Sequence, residues 1–202
     1  MRYYLSKENF YTQKAKDEGY PARSVYKLRE IDRKFGVFKT GDKVLDLGAA
    51  PGSWLLYISE RIGPGGRVFG CDIDDLKTDL PANSVFMKKS VFDNDLLPIL
   101  RASGFRNFNV VVSDLAPQTS GLHEKDVADC LELTRRAFEI ACQTLEDAGN
   151  FICKVFEGPD VDEFVKETEQ NFKIVKRYRP QAIRKGSREF YLVAKNFIRR
   201  DP

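Results

Sequence analysis

Hydrophobic positions along the chain recur alternately in short apolar runs and with the spacing of about 3.6 residues that is typical of helices, which predicts alternating strands and helices. Short apolar runs rich in β-branched residues predict strands at 43–48, 67–73, 84–88, 109–114, 151–156, 173–178 and 189–195. Helical periodicity predicts helices at 24–35, 53–62, in part of 93–103, within 124–147 and near 160–171. The alternation is typical of the α/β class, with a mostly parallel sheet covered by helices on both faces. No helix separates the last two strands, so we expect them to pair antiparallel.

A lysine interrupts the apolar strand predicted at 151–156, where Lys154 stands within the sequence FICKVF. A buried lysine is strongly destabilising unless it is paired or loses its proton. Taken alone, the residue is most simply interpreted as lying at a strand edge, with its amine in water. The alternative is that partners from other parts of the chain hold this amine inside the protein.

The composition is that of a globular protein, with 42% hydrophobic and 31% charged residues among 202. No linker is visible, so we expect one domain over residues 1–202. No apolar run reaches the roughly eighteen residues of a membrane span, and the first residues lack the apolar core of a signal peptide. Four cysteines without CxxC spacing and a single histidine, His123, predict reduced thiols in a cytoplasmic protein without a metal site. We expect His123 to be exposed and to take no part in catalysis.

Positive charge is concentrated at both ends of the chain, although the net charge is only +3. Residues 1–39 carry ten Lys and Arg against five Asp and Glu, and residues 173–200 carry ten against one. Aromatic residues interleave with these cations, which is typical of surfaces that hold single-stranded nucleic acid. If the two ends converge they predict a phosphate-binding surface, and otherwise they are solvated termini. The residues expected at such an entrance are Lys7, Lys14, Lys16, Arg23, Lys27, Arg177, Arg179, Arg184, Lys185 and Arg188.

The first predicted strand ends in the loop sequence DLGAAPGSW, in which Gly48 and Gly52 allow the backbone to approach a ligand closely. The loop matches neither the P-loop nor GxGxxG. Asp46 precedes it and its proline lacks an amide donor, which favours a cationic ligand without phosphate, such as S-adenosylmethionine (SAM). Asp72 ends the second strand, where an acid commonly accepts both hydroxyls of an adenosine ribose, in SAM and NAD alike. Plain turn glycines and a helix-capping acid are the alternative.

Five ordered stretches extend this pattern: EGYPARSVYKL (18–28), DLGAAPGSW (46–54), SDLAPQTSG (113–121), KVFEG (154–158) and SREFYLVA (187–194). Together they resemble the FtsJ/RrmJ family of SAM-dependent RNA ribose 2′-O-methyltransferases, over nearly the whole chain. The resemblance implies a Rossmann-like, seven-stranded SAM-dependent methyltransferase fold with one antiparallel strand, SAM as cofactor and RNA as partner. Members of this family methylate a ribose 2′-hydroxyl in large-subunit ribosomal RNA or in the tRNA anticodon loop.

The length of the chain bears on the choice between these two RNAs. It is short and carries no added RNA-binding domain, which favours a uridine of large-subunit ribosomal RNA as the substrate. The protein would meet this uridine either in the RNA itself or in the assembled large subunit. The tRNA anticodon loop is the alternative. Neither DNA nor a membrane is an expected partner.

The resemblance also assigns roles to individual residues. It implies a catalytic set of Lys27, Asp114, Lys154 and Glu189. Cofactor contacts are expected at Gly48, Gly52, Trp54, Asp72 and Asp114. Trp54 could instead pack the first helix on the sheet. The chain departs from the family at Val91, which stands about where an acid would grip the adenine, and Asp93 or a backbone amide would have to replace that acid.

Methyl transfer from SAM is an in-line displacement at carbon, so the protein must align the 2′-oxygen and remove the hydroxyl proton. A lysine is protonated at neutral pH, so Lys154 acts as the base only if burial and the second cation, Lys27, favour the neutral amine. Asp114 and Glu189 favour the ammonium form, which would instead steer the hydroxyl and stabilise the developing alkoxide. Lys27 is expected to orient the ribose or a phosphate. Asp114 would then position Lys154, and Glu189 would orient the lysines.

Two other classes of function share part of this pattern. An NAD-dependent dehydrogenase has the same strand–helix start and ribose acid, but the chain lacks GxGxxG and the histidine or tyrosine of a hydride-transfer site. A non-enzymatic RNA-binding module would explain the basic ends, but it gives no reason for Asp114, Lys154 and Glu189 to lie at strand ends. Fortuitous salt bridges are the structural alternative for the predicted catalytic set.

Overall fold

The computed structural model of the chain describes residues 7–105, 107–117 and 120–199, without the side chains of residues 7–9 and 123. Within this part, the strands are β1 Lys43–Leu47, β2 Arg67–Asp72, β3 Ser84–Lys88, β4 Phe108–Ser113, β5 Leu145–Phe156, β6 Phe172–Tyr178 and β7 Glu189–Phe197. They form one sheet in the order β3-β2-β1-β4-β5-β7-β6. β7 runs antiparallel to both of its neighbours, and the other pairs are parallel. The predicted sheet, with its antiparallel final pair, is confirmed.

The helices in the described part are α1 Lys7–Asp17, α2 Val25–Phe35, α3 Ser53–Ile62, α4 Leu96–Ala102, α5 His123–Thr144 and α6 Val161–Asn171. The sequence predicts all of these except α1, whose apolar residues do not form a regular helical face. α1 is held instead by the buried Ala15 and by Tyr11, whose ring lies 5.3 Å from the ring of Tyr26. None of the helices in the described ranges combines the length and apolar character needed to cross a membrane.

The strand that contains Lys154 begins earlier than predicted, because β5 starts at Leu145, directly after α5. Its first residues pair with β4 across a register shift between Phe108 and Val110. Ala148 also has a positive φ of 61°. Irregular pairing of this kind interrupts the two-residue alternation on which a strand prediction depends, so only the regular half of the strand is visible in the sequence.

Each face of the sheet has its own hydrophobic core. α4, α5 and α6 pack on one face with Phe151 and Cys153 of β5, and α2 and α3 pack on the other face with Ile152. Because side chains alternate along a strand, Lys154 points to the same face as Ile152, towards α2 and α3. β5 lies between β4 and β7, so Lys154 is not on an edge strand.

The carboxyl ends of β1, β2, β4 and β5 meet at one edge of the sheet, because these strands are parallel. From β1 the chain moves outward to β2 and β3, and then returns to place β4 on the other side of β1. The loops after β1 and β4 therefore diverge at a reversal of strand order, which is where ligands bind in open α/β sheets.

Candidate active site

The amine of Lys154 lies inside the protein beside Asp114, the residue that follows β4. Lys154 Nζ donates to the backbone carbonyl of Asp114 at 2.6 Å and to its Oδ1 at 3.2 Å. The side chain of Lys154 is only 7% exposed. The interpretation of Lys154 as a strand-edge residue with its amine in water is therefore wrong: it is a buried, paired lysine of a central strand.

A second ion pair lies close to the first. Lys27 Nζ is 2.6 Å from Glu189 Oε1, and both side chains are largely buried. Lys27 belongs to the first turn of α2, and Glu189 is the first residue of β7. The antiparallel register of β5 and β7 places Glu189 opposite Phe156 at the carboxyl end of β5. The structure thus brings the four predicted catalytic residues together at one edge of the sheet.

Tyr191 connects the two ion pairs, and it is a site residue that the sequence prediction missed. Its hydroxyl donates to Asp114 Oδ1 at 2.7 Å, the same oxygen that accepts from Lys154. Its buried ring lies with its centroid 5.9 Å from Lys27 Nζ. An aromatic residue in a strand is ordinarily interpreted as core. The available signal was that Tyr191 lies two residues after Glu189, on the same face of the strand.

Electrostatic interactions keep Asp114 ionised and Tyr191 protonated. Burial raises the pKa of Asp114, but the charges of Lys154 and Lys27, with the hydrogen bond from Tyr191, outweigh it and the net shift is downward. Burial, followed by the negative charges of Asp114 and Glu189, raises the pKa of Tyr191 well above its ordinary value. Asp114 is therefore a constant hydrogen-bond acceptor at neutral pH, and Tyr191 a constant donor.

A cavity of about 440 Å³ opens at the carboxyl ends of β1, β2 and β4, and Asp114 forms part of its wall. Gly48 forms another part. It has a φ of +84°, and a Cβ added to it would lie 2.9 Å from the backbone nitrogen of Leu115. Both observations favour glycine at this position, since the left-handed backbone and the close approach leave no room for a side chain.

Asp72 lies at the cavity and also shapes the loop above it. Its Oδ2 accepts a hydrogen bond from the backbone N–H of Ala50 at 2.9 Å, and its Oδ1 accepts from that of Asp74 at 2.9 Å. Each carboxylate oxygen retains a further lone pair. The turn role and the role of accepting ligand hydroxyls are therefore compatible in this residue.

Two of the residues predicted to contact a cofactor do not line this cavity. Gly52 precedes α3 with a φ of +112°, and a Cβ there would lie 2.5 Å from Thr78 Cγ2. Trp54 is buried, its Nε1 donates to the backbone carbonyl of Ser24 at 3.0 Å, and its ring lies 5.8 Å from that of Tyr191. This geometry supports the packing interpretation of Trp54 and gives no support for a cofactor contact.

The segment after β3 contributes apolar side chains to the cavity. Val91, which stands where the family pattern has an acid, is buried in the wall, and the neighbouring Phe92 is 46% exposed there. The carboxylate of Asp93 accepts a hydrogen bond from the backbone N–H of Ser90 at 3.1 Å and is not part of the cavity lining. This geometry gives no support for Asp93 as the replacement of the missing acid, and its role there stays a prediction.

Asp46 lies below the loop as a fully buried residue of β1. Neither of its carboxylate oxygens has a hydrogen-bond partner among the described residues. Burial, and then the negative charges of Asp114 and Asp72, raise its pKa well above the ordinary value for aspartate. The sequence identified Asp46 only as an acid before the loop, since its lack of a partner depends on the packing around it.

The two basic segments of the chain converge on α2. Glu30 of α2 accepts hydrogen bonds from the Tyr178 hydroxyl at 2.5 Å and from the backbone N–H of Gln181 at 2.8 Å. Lys195 Nζ donates to the carbonyl of Phe35 at 2.6 Å. The alternative of two separate, solvated termini is therefore wrong for the described residues.

The loop between β6 and β7 carries exposed cations next to Glu189. Ala182 and Ile183 anchor it in the core formed by α2 and α3. Arg179 donates to the carbonyl of Glu189 at 3.1 Å and so fixes the end of the loop. The exposed basic residues of the loop are Arg179, Arg184, Lys185 and Arg188.

Other members of the predicted basic set are engaged with acidic or aromatic side chains of the protein. Lys14 lies 3.8 Å from Glu18 and 5.1 Å from the centre of the Tyr26 ring. Arg177 pairs with Asp162 on α6. The side chains of Lys7 and His123 lie outside the described residues, so the expectations for them stay predictions.

Comparisons with known proteins agree with the motifs. The family model described as FtsJ-like methyltransferase matches residues 20–197. The ribosomal RNA large subunit methyltransferase E of Nitratidesulfovibrio vulgaris is 46% identical over 190 residues, covering 91% of this chain and 90% of that protein. The protein of the same name from Lawsonia intracellularis is 42% identical over 198 residues, covering 95% of this chain and 96% of its own.

A solved structure supports the same assignment. The crystal structure of a Plasmodium falciparum protein described as a ribosomal RNA methyltransferase matches with a TM-score of 0.78 and 26% identity, covering 90% of this chain and 100% of that chain. The resemblance predicted from the five motifs is confirmed, and the dehydrogenase and non-enzymatic alternatives are not. The chain belongs to the FtsJ-like methyltransferase family.

Proposed function

We propose that this protein transfers a methyl group from SAM to the 2′-hydroxyl of a ribose in RNA, at a uridine of large-subunit ribosomal RNA. The observation that carries the proposal is the buried contact between Lys154 and Asp114, with Lys27 and Glu189 paired beside it. Because Asp114 also lines the cavity, a candidate proton acceptor lies next to the space for a methyl donor.

The cavity suits SAM better than a cofactor with phosphates. Asp72, Asp74 and Asp114 line it, and this negative surrounding favours sulfonium and ammonium groups over pyrophosphate. The amine of Lys89, which also lines the cavity, is paired with Asp95 at 2.8 Å. Asp72 would hold the ribose hydroxyls, Gly48 would allow close approach of the backbone, and Phe92 would pack on the adenine. SAM supplies a methyl group on a good leaving group when bound.

The hydrogen bonds of Lys154 fit its proposed role as the base and also fit the charged amine. A neutral amine has two N–H groups and one lone pair. The carbonyl and Oδ1 of Asp114 accept two hydrogen bonds from Nζ, which leaves the lone pair to receive the proton of the ribose hydroxyl. In the ammonium form the third N–H would instead donate to the hydroxyl oxygen. Asp114 orients the amine in both cases, and general-base assistance contributes roughly 10²–10⁴-fold.

Lys27 and Glu189 would act on the substrate from the other side of Tyr191. Glu189 holds the Lys27 amine at 2.6 Å, so that its charge is available to orient the ribose or an adjacent phosphate. Holding the 2′-oxygen in line with the methyl group can lower the barrier by about 7–11 kcal/mol in favourable systems. The exposed cations of the loop before Glu189 would bind phosphates of the flanking nucleotides.

Large-subunit ribosomal RNA is the proposed substrate because curated relatives with 42–46% identity carry that RNA in their names. The described cysteines are free thiols, which agrees with a cytoplasmic location where this RNA is made and assembled.

The test is transfer of labelled methyl from SAM to purified large subunits, to protein-free large-subunit RNA and to tRNA, each lacking the modification. Label at a uridine 2′-oxygen of the subunit or its RNA is the expected result. Label confined to tRNA would show that tRNA is the substrate instead of large-subunit RNA. Label in none of the three RNAs would overturn the proposed activity.

A further inference from the structure

Asp46 is a carboxyl group without an assigned role. It is fully buried, and neither oxygen has a hydrogen-bond partner in the described part of the chain. Buried polar groups nearly always have partners, and an ionised carboxylate without one is strongly disfavoured. The group therefore needs either a proton or a positive charge nearby.

The register of the sheet shows where such a charge could lie. Asp46 is opposite Gly70 on β2 and Val112 on β4. Two residues further along these strands come Asp72 and Asp114, on the wall of the cavity. Side chains two residues apart share a face and are separated by about 6.6 Å. Asp46 therefore lies one pleat below the wall of the cavity.

We propose that Asp46 carries a proton in the free protein and releases it to solvent when a positively charged methyl donor occupies the cavity. The inference rests on the proposed function. The O–H bond of Asp46 breaks, its electron pair stays on the carboxylate and the proton passes to water. After methyl transfer the sulfonium charge is gone and the carboxylate takes up a proton again. Asp46 thus makes the protein favour the charged donor over its uncharged-sulfur product.

The charged groups around Asp46 support this assignment. The charges that face it from β2 and from the end of β4 are the carboxylates of Asp72 and Asp114, and both oppose its ionisation. The amine of Lys154 on β5 is already engaged by Asp114. The Lys27 amine on α2 is engaged by Glu189.

The helix packed over Asp46 supplies no counter-charge either. On α3, Arg61 is paired with Asp32 and Glu60 accepts from the Tyr20 hydroxyl. Both residues lie in the last turn of α3, about 10 Å along its axis from the first turn. A cation in the cavity is therefore the change that would favour the ionised form of Asp46.

The experiment compares SAM with S-adenosylhomocysteine, which shares every group except the methyl and its sulfonium charge. Binding to the wild-type protein is measured by titration calorimetry in two buffers of different ionisation heat, so that released protons are counted. We expect SAM to release more protons than S-adenosylhomocysteine. In Asp46→Asn the excess should vanish, and the affinity for SAM should fall on the order of tenfold or more while that for the product changes little.

Phe92→Ala is the matched control, because Phe92 is an uncharged residue of the cavity wall that is proposed to pack on the adenine shared by both ligands. It should weaken both ligands alike and retain the excess proton release. If Asp46→Asn does not fold, infrared difference spectra of the wild-type protein give the second measurement, as loss of a protonated carboxyl band with SAM alone.

The outcomes separate the two proposals. Equal proton release with SAM and product, or an unchanged excess in Asp46→Asn, overturns the inference while methyl transfer to RNA still stands. Failure of both ligands to bind the wild-type protein overturns the proposed cofactor and the inference together.

Discussion

The hydroxyl of Tyr191 donates to Asp114 Oδ1 at 2.7 Å, and the same oxygen accepts from the amine of Lys154 at 3.2 Å. Because Tyr191 stays protonated and buried, it holds the carboxylate in one orientation. That orientation in turn sets the direction of the Lys154 amine. Tyr191 is therefore a positioning residue for the proposed base.

Replacing Tyr191 by phenylalanine should lower kcat roughly five- to tenfold, because one hydrogen bond that orients Asp114 is lost. The KM for SAM should change little. The matched control is Tyr57→Phe, since the Tyr57 hydroxyl also donates at 2.7 Å to a buried carboxylate, that of Asp32. Both variants should lose about 1 kcal/mol of unfolding free energy. An equal loss of kcat in the two would show that Tyr191 acts through stability alone.

Lys154→Ala should bind SAM nearly normally and lose methyl transfer by about 10²–10⁴-fold, because the proposed base is absent. Single-turnover transfer of labelled methyl measures the loss, and calorimetry measures SAM binding. Lys43→Ala is the control, since Lys43 is exposed at the opposite end of the sheet. Turnover near that of the unmodified protein in Lys154→Ala would remove Lys154 from the mechanism.

Gly48→Ala should weaken SAM binding strongly, because the added Cβ would lie 2.9 Å from the backbone of Leu115 at the cavity wall. Gly41→Ala separates this clash from backbone strain: Gly41 has a similar φ of +87°, but a Cβ there meets nothing within 4 Å. Each should cost about 1 kcal/mol of stability or more from the left-handed backbone. Loss of SAM affinity, measured by titration, is expected for Gly48→Ala alone. If Gly41→Ala also lost SAM affinity, backbone strain and not the clash with Leu115 would be the cause.

Lys185→Ala should weaken RNA binding and make it less dependent on salt, because an exposed cation of the loop that precedes Glu189 is removed. If Lys185 neutralises one phosphate, the slope of log K against log salt should fall by about 0.7–0.9. Binding of substrate RNA between low and moderate salt measures this slope, with Lys43→Ala again as control. A slope unchanged from that of the unmodified protein would place the phosphate contacts elsewhere.

Asp114 and Asp46 should affect stability in opposite directions as the pH changes. The folded pKa of Asp114 is lowered, so its contribution is present above the unfolded value of about 3.9 and is lost as pH falls. The folded pKa of Asp46 is raised, so its contribution is present below about 3.9 and is lost as pH rises.

Urea denaturation of variants from about pH 4 to pH 7 tests these signs. Asp46→Asn should gain unfolding free energy over the unmodified protein, and the gain should grow towards neutral pH. Asp114→Asn should show a loss that grows in the same direction. A loss for Asp46→Asn that grows towards neutral pH would mean that Asp46 is ionised and satisfied in the free protein.

The sequence predicted most elements because their periods are regular. α2 shows Val25, Leu28 and Ile31 on one face, and all three are fully buried. α1 escaped prediction because only Tyr11 and Ala15 among its described side chains are not exposed, and two positions are too few to define a helical face. Tyr191 escaped because its hydroxyl partner, Asp114, is 77 residues away along the chain.

The chain alone establishes the alternating strands and helices, the glycine loop and the four motif residues, because periodicity, turn chemistry and ordered motifs are local properties. Tertiary structure alone decided that Lys154 is buried against Asp114, that Trp54 packs on Tyr191, and that Asp46 has no partner. The physical reason is that burial and hydrogen-bond partners depend on which strands are neighbours. Strand order brings together residues that are far apart in the chain, and the local periodicity of the sequence does not determine that order.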